Sequence, residues 1–120
     1  MLEEVRARRI TLECCPISNQ VLGYFPDLAA HPAVGLLRAG IPMTISPDDP
    51  GMWHYCDVSY DFAAVVGAWN LTLTELKALA RNSLTFSTLR GKQREEAVQA
   101  WEADWERWIE AENKQLGTKG

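Results

Sequence analysis

The segment Ile41-Pro42-Met43-Thr44-Ile45-Ser46-Pro47-Asp48-Asp49-Pro50 alternates apolar and polar side chains through Ile41, Met43 and Ile45, then turns through prolines and a pair of aspartates. That alternation predicts a strand over 41–46, with Pro42 tolerated because it stands at the strand's start. Immediately upstream, His31-Pro32 opens a helix. Proline suits the first helical position because its missing N–H would have no intrahelical partner there, and Gly40 supplies the left-handed residue that ends the helix. Val34 and Leu37 are expected on its buried face. Further upstream, Arg9-Ile10-Thr11-Leu12-Glu13-Cys14 alternates again, with β-branched Ile10 and Thr11, until Pro16 stops it; this predicts a strand over 10–14. Strand, helix, strand implies a right-handed parallel crossover and an α/β fold. Between the first strand and the helix, Cys15 to Ala30 carries Pro16, Asn19, Gly23 and Pro26 and is expected to be an irregular loop with one helical turn.

Downstream the period changes. Phe62, Val65, Val66 and Trp69 fall at i, i+3, i+4 and i+7, one stripe of a helix, and Asn70-Leu71 breaks it. Thr72 with Glu75 three residues on is a capping box that starts a second amphipathic helix through Leu76, Leu79, Ala80 and Ser83. After a polar joint at Arg90-Gly91, a last helix over about 92–112 puts Val98, Trp101, Trp105 and Trp108 on one face with Ile109 beside them. Such a stripe is more at home in core packing or against a docking partner than under a sugar or base. The tail from Asn113 to Gly120 is expected to fray.

At 120 residues, 47% hydrophobic and 23% charged, the chain is sized and composed for one globular domain, which excludes a wholly disordered chain. Twelve Lys+Arg against 16 Asp+Glu, a net charge of -4, give no basic field for a nucleic-acid backbone or an anionic membrane surface. No apolar run approaches the ~20 residues that span a bilayer, and the charged start Met1-Leu2-Glu3-Glu4-Val5-Arg6 does not begin a signal peptide, so the chain as given reads as soluble. Cys14, Cys15 and Cys56 form neither a disulfide framework nor a zinc knot; they are expected to be buried thiols of a reducing compartment. The sequon Asn70-Leu71-Thr72 carries meaning only in a secreted, longer chain.

For chemistry, the paired Asp48-Asp49 stands out, because it lies just past the carboxyl end of a predicted parallel strand, where α/β folds place reactive groups. A carboxylate there can ligate a metal and its neighbour can meet a substrate donor; the same Asp-Pro pattern also makes ordinary turns and helix caps. His31 reads as a capping or surface residue, His54 as a surface residue that can approach the aspartates, and Glu13 as either facing the site or pairing with Arg8 or Arg9. Ser18 and Ser46 have no serine-hydrolase elbow around them. There is no glycine-rich phosphate loop and no zinc motif of the cytidine-deaminase type.

Glu13-Cys14-Cys15-Pro16-Ile17-Ser18-Asn19-Gln20-Val21-Leu22 resembles the seventh-strand segment of metal-dependent adenosine deaminases, above all the secreted growth-factor-type subfamily. Asp27-Leu28 with His31-Pro32-Ala33, and then the run from Ile41 to Pro50, resemble that family's seventh helix and eighth strand. Ser59-Tyr60-Asp61-Phe62, Leu76 to Ser83, Ser87-Thr88-Leu89 and the tryptophan-bearing final helix continue the match, which covers about Thr11 to Ile109. The resemblance implies the C-terminal part of a (β/α)8 barrel of the TIM type, the last two β/α units plus C-terminal helices, mostly helical with two short parallel strands. Such barrels run to ~250 residues, so most of one lies outside these 120.

By the resemblance, Asp48 is the zinc-ligating aspartate, which also accepts a hydrogen bond from the metal's water, and Asp49 hydrogen-bonds an imidazole-ring nitrogen of the purine. The family's His-x-His pair, further histidines and catalytic glutamate have no counterparts here, and His31 and His54 do not stand in their places. Pro47 replaces the usual Ser or Thr before the aspartates. The implied function is the C-terminal portion of a zinc-dependent adenosine deaminase, inactive as an isolated chain, with adenosine or a related purine as substrate and either a homo-oligomer or the missing barrel portion as partner. An AMP or adenine deaminase portion is the enzymatic alternative; a non-catalytic interaction module presenting Trp101, Trp105 and Trp108 is the other.

Overall fold

Leu12–Cys14 (β1) and Met43–Ile45 (β2) pair in parallel, with Leu12 opposite Met43, Glu13 opposite Thr44 and Cys14 opposite Ile45. In the computed structural model, which describes residues 1–117, both strands are shorter than their alternating sequences, for one physical reason. The Ile10 amide bonds the Val5 carbonyl and the Ile41 amide bonds the Leu36 carbonyl, so each closes the helix before it and is unavailable to the sheet. The ladder extends by one step on each side, from the Leu12 amide to the Pro42 carbonyl and from the Ser46 amide to the Cys14 carbonyl.

The charged lead-in forms a short helix, α1 (Leu2–Ala7), with Glu3 and Glu4 in its first turn and Arg6 in its last, as the helix dipole favours. Cys15 to Ala30 holds more helix than the single turn expected, with turns and bends over 22–27. Pro16–Val21 is a helix, α2, with proline at its first position, and Leu28–Ala30 is a 3-10 turn capped by Asp27. The punctuating Gly23 and Pro26 fall after α2 rather than inside it. Helix α3 (Ala33–Arg38) links the strands and ends as expected at Gly40, whose φ is +79°. Ala33 is its buried residue, whereas Val34 and Leu37 are half-buried at the core's edge.

Helix α4 (Ser59–Ala68) carries the expected stripe, with Val65 and Trp69 buried and Phe62 packed beside them. The Trp69 indole N–H donates to the Leu28 carbonyl at 2.8 Å, which satisfies the one polar atom of a buried ring. Helix α5 (Leu73–Thr85) opens on the capping box: the Glu75 amide donates to Thr72 Oγ1 at 3.1 Å and the Thr72 amide to Glu75 Oε2 at 2.9 Å. Leu79 is fully buried, but Ser83 is exposed; Asn82 turns inward instead and its amide donates to the Met43 carbonyl at 2.8 Å. Cys14, Met43 and Ile45 from the sheet, Ala33 from α3, Val65 and Trp69 from α4, and Leu79 from α5 form one core. Arg38 fastens α3 to α5, its Nε 2.9 Å from Glu75 Oε1 and its Nη2 3.1 Å from the Trp69 carbonyl. The guanidinium holds the Glu75 carboxyl down at about 2.

The chain divides into two compact units, Met1–Ser83 and a second from Leu84 onward. The second is dominated by α6 (Gly91–Gly117), which passes the point where fraying was expected to begin; residues 118–120 lie outside the described ones. Trp101 and Trp105 stack with ring centroids 5.4 Å apart, and Trp105 meets Trp108 edge-on at 5.1 Å. No residue of α6 is fully buried: Trp101 and Trp105 are half-buried and Trp108 is 45% exposed. No described helix is long and apolar enough to cross a membrane.

Candidate active site

Both strands run toward the same edge, and the segments leaving their carboxyl ends meet there. From β1 the chain passes through Cys15 into α2, which turns Ser18 inward; from β2 it passes through Ser46-Pro47 to Asp48. The Ser18 hydroxyl, on a buried residue, donates to Asp48 Oδ2 at 2.8 Å. Asp48 has φ +59°, a conformation that aspartate tolerates better than most residues but that still needs its surroundings to hold it. Asp49 follows at φ -107°, ψ 72°, and its side chain caps nothing in the 3-10 turn Pro50–Trp53. Both aspartates are exposed. The capping role that Asp-Pro commonly plays is therefore absent at Asp49, and its carboxylate stands open at the strand edge.

The other candidates separate from this pair. Glu13 is exposed on β1, and Arg8 bonds Glu4. His54 is exposed with φ +65°. His31 is buried rather than superficial: Nδ1 accepts the Ala33 amide at 3.1 Å, starting α3, and Nε2 lies 3.0 Å from Asn19 Oδ1. With Nδ1 an acceptor, Nε2 carries the proton and donates to Asn19. Phe25 and Trp69 cover the ring at 4.4 and 5.7 Å. A cavity of about 220 Å³ beside His31, Asn19 and Met43 does not include either aspartate.

Burial holds the His31 pKa below its ordinary value. The unfolded chain then binds the proton more readily, so stability is complete above about pH 6.5 and falls as pH drops through the interval below it. Urea midpoints of the 120-residue chain are expected to be lower at pH 5.5 than at pH 7.5, with His31→Gln flattening that difference; an unchanged difference would contradict the buried neutral ring.

All three cysteines are free, but only Cys14 is buried; Cys15 is half-buried and Cys56 exposed. Burial, reinforced by Cys15 and Asp61, pushes the Cys14 thiol up to about 12, and burial followed by Asp48 raises Cys15. Neither is a ready nucleophile at neutral pH.

Composition and periodicity alone did not single out Asp61. It is 0% exposed, on the same α4 stripe as Val65 and Trp69, with Oδ1 accepting the Ile17 amide at 3.2 Å and Oδ2 accepting the Tyr55 hydroxyl at 2.7 Å. A carboxylate four residues before Val65 on an apolar stripe is the signal that could have found it, since a buried charge requires partners.

Two parallel strands, the helices following them and carboxylates beyond the strands' carboxyl ends define a parallel α/β unit, and the solved structures it superposes on are (β/α)8-barrel deaminases, about 30% of whose chains it covers. The chain belongs to the adenosine deaminase family, whose model matches residues 1–102. It is similar to adenosine deaminase 2 of Dictyostelium discoideum, 42% identical over 111 residues covering 92% of this chain and 20% of that protein. Adenosine deaminase 2 of Sus scrofa is 46% identical over 103 residues, covering 83% and 20%. These relatives are of the growth-factor type, and the chain spans about a fifth of their length. Among solved structures, adenine deaminase from Arthrobacter aurescens superposes with TM-score 0.74 at 26% identity, over 83% of this chain and 31% of that one. The N6-methyl-AMP deaminase of Arabidopsis thaliana shares the fold at TM-score 0.74 and 23% identity, over 84% and 30%.

Proposed function

We propose that this chain is the C-terminal section of a zinc-dependent adenosine deaminase, contributing Asp48 as a metal ligand and Asp49 as a substrate-binding residue, and that alone it does not turn over adenosine. The observation that carries this reading is the Asp48 carboxylate beyond β2, oriented from one side by Ser18. Among the described residues Oδ1 receives no hydrogen bond, so it is available to a cation. An aspartate oxygen is a regular zinc ligand, and catalytic zinc takes three protein ligands with a fourth position open. No three His, Cys, Asp or Glu side chains come together among the described residues, so Asp48 fits as one ligand of a set completed elsewhere in the barrel.

When bound, zinc lowers the pKa of its water to about 7, supplying a nucleophile at neutral pH. In a complete, zinc-loaded site Asp48 would hold the ion and would accept a hydrogen bond from the attacking water, orienting it toward the purine carbon bearing the amine. Asp49, uncommitted to any cap, hydrogen-bonds the imidazole portion of the ring and fixes its register. Adenosine and water give inosine and ammonia.

The test joins this chain to the remaining barrel of the Dictyostelium relative and follows adenosine loss and ammonia release. The fusion is expected to turn over adenosine with bound zinc, and the 120-residue chain to show none. Turnover by the chain alone overturns its inactivity; a folded, zinc-loaded fusion without turnover overturns the reading itself. Parallel assays with AMP and adenine identify the purine, and preference for either over adenosine overturns the substrate assignment.

A further inference from the structure

Asp61 ties together the two segments that meet at the Ser18–Asp48 bond. Its Oδ1 accepts the amide of Ile17, the residue before Ser18, and its Oδ2 accepts the Tyr55 hydroxyl at 2.7 Å, whose single proton is shared in a three-centre bond with the carbonyl of Pro47, the residue before Asp48, at 3.0 Å. We propose that Asp61 and Tyr55 are positioning residues, which set the geometry of Asp48 from its backbone side while Ser18 sets it from the carboxylate side. The proposal rests on the reading of Asp48 as a metal ligand.

Each link has a physical cause. Ile17 lies in the first turn of α2, where amides have no intrahelical acceptor, and Cys15, at the cap position, makes no side-chain bond to that turn. Asp61 supplies the missing acceptor from another helix. Asp61 in turn is fully buried and needs donors, which Ile17 and Tyr55 provide. Burial first, and then the Asp61 carboxylate, raise the Tyr55 pKa, so its hydroxyl stays protonated and remains a donor. The Tyr60 ring packs 5.5 Å from the Tyr55 ring. Asp48 at φ +59° has no intrinsic preference strong enough to hold itself there, and the tethers on either side remove its freedom to relax. This is the arrangement by which residues behind a ligand tune a metal site without touching it.

Tyr55→Phe in the fusion removes one hydroxyl and keeps the ring. Zinc affinity and kcat are each expected to fall about 10- to 100-fold, with KM for adenosine held within about twofold because Asp49 keeps its place. Asp61→Asn retains an acceptor for Ile17 and, by turning its NH2 to the Tyr55 oxygen, leaves the hydroxyl proton to the Pro47 carbonyl, so it is expected to lose less zinc affinity and kcat than Tyr55→Phe. In the 120-residue chain, Asp61→Ala is expected to speed hydrogen exchange at the Ile17 amide, and Tyr55→Phe to leave it protected. If Tyr55→Phe alters thermal stability alone, leaving zinc affinity and kcat within about twofold, the positioning role is overturned while loss of zinc in Asp48→Ala still upholds the site. If Asp48→Ala itself leaves zinc affinity unchanged, the underlying reading fails instead.

Discussion

Asp48→Ala in the completed barrel is expected to abolish adenosine turnover and to weaken zinc by more than about 100-fold, the upper end of what outer partners of a metal ligand cost when removed. The reason is double. The substitution removes one protein ligand of the zinc, and it removes the carboxylate that would orient the attacking water. Asp49→Ala separates from it cleanly: zinc affinity stays, while KM rises and kcat falls because the purine loses its register. Zinc titration followed by steady-state kinetics on both variants reads the two effects independently. Retained activity in both would remove Asp48 and Asp49 from the site, whatever the family.

Leu79→Ala is the substitution expected to cost the most stability. Leu79 is 0% exposed and lies in the core cluster with Met43, Ile45, Val65 and Trp69, so truncation both forfeits its burial and leaves a cavity among side chains drawn from the sheet and two helices. Such replacements cost about 2–5 kcal/mol, against a total of roughly 5–15 kcal/mol for a domain. Urea denaturation of the 120-residue chain is expected to show a midpoint lowered accordingly, or a chain already unfolded without urea. Leu73→Ala, on the exposed first turn of the same helix, is expected to change stability by about 0.5 kcal/mol or less. Equal effects at the two positions would mean that the core is not where these contacts place it.

Elements whose cause is local were legible in the sequence. The Thr72–Glu75 box carries its own hydrogen bonds within four residues, Gly40 ends α3 by its own backbone freedom, and the Val65–Trp69 stripe needs only helical period to be seen. Strand ends were less legible, because whether Ile10 and Ile41 join a sheet depends on carbonyls in the preceding helices competing for their amides. Helix α2 was obscured by the turn-forming residues that follow it, and its first-turn acceptor belongs to Asp61, 44 positions downstream of Ile17. The expectation of three buried thiols holds at Cys14 alone, Cys15 being half-buried and Cys56 exposed, since exposure is set by what covers a residue rather than by its type.

By itself, the sequence carried the family, through motifs that resemble that family's in order over about Thr11 to Ile109, and it determined the parallel strand–helix–strand class, because hydrophobic period and turn chemistry are written residue by residue. It also marked Asp48 and Asp49 as candidates. Only the tertiary structure decided how they stand: Asp48 in a left-handed turn with Ser18 on one oxygen, Asp49 free of the cap that its proline suggested, and a buried Asp61 joining the segments behind them. Those contacts join residues 30 and 44 positions apart, and such pairings exist only once the core has brought two strand ends to one edge.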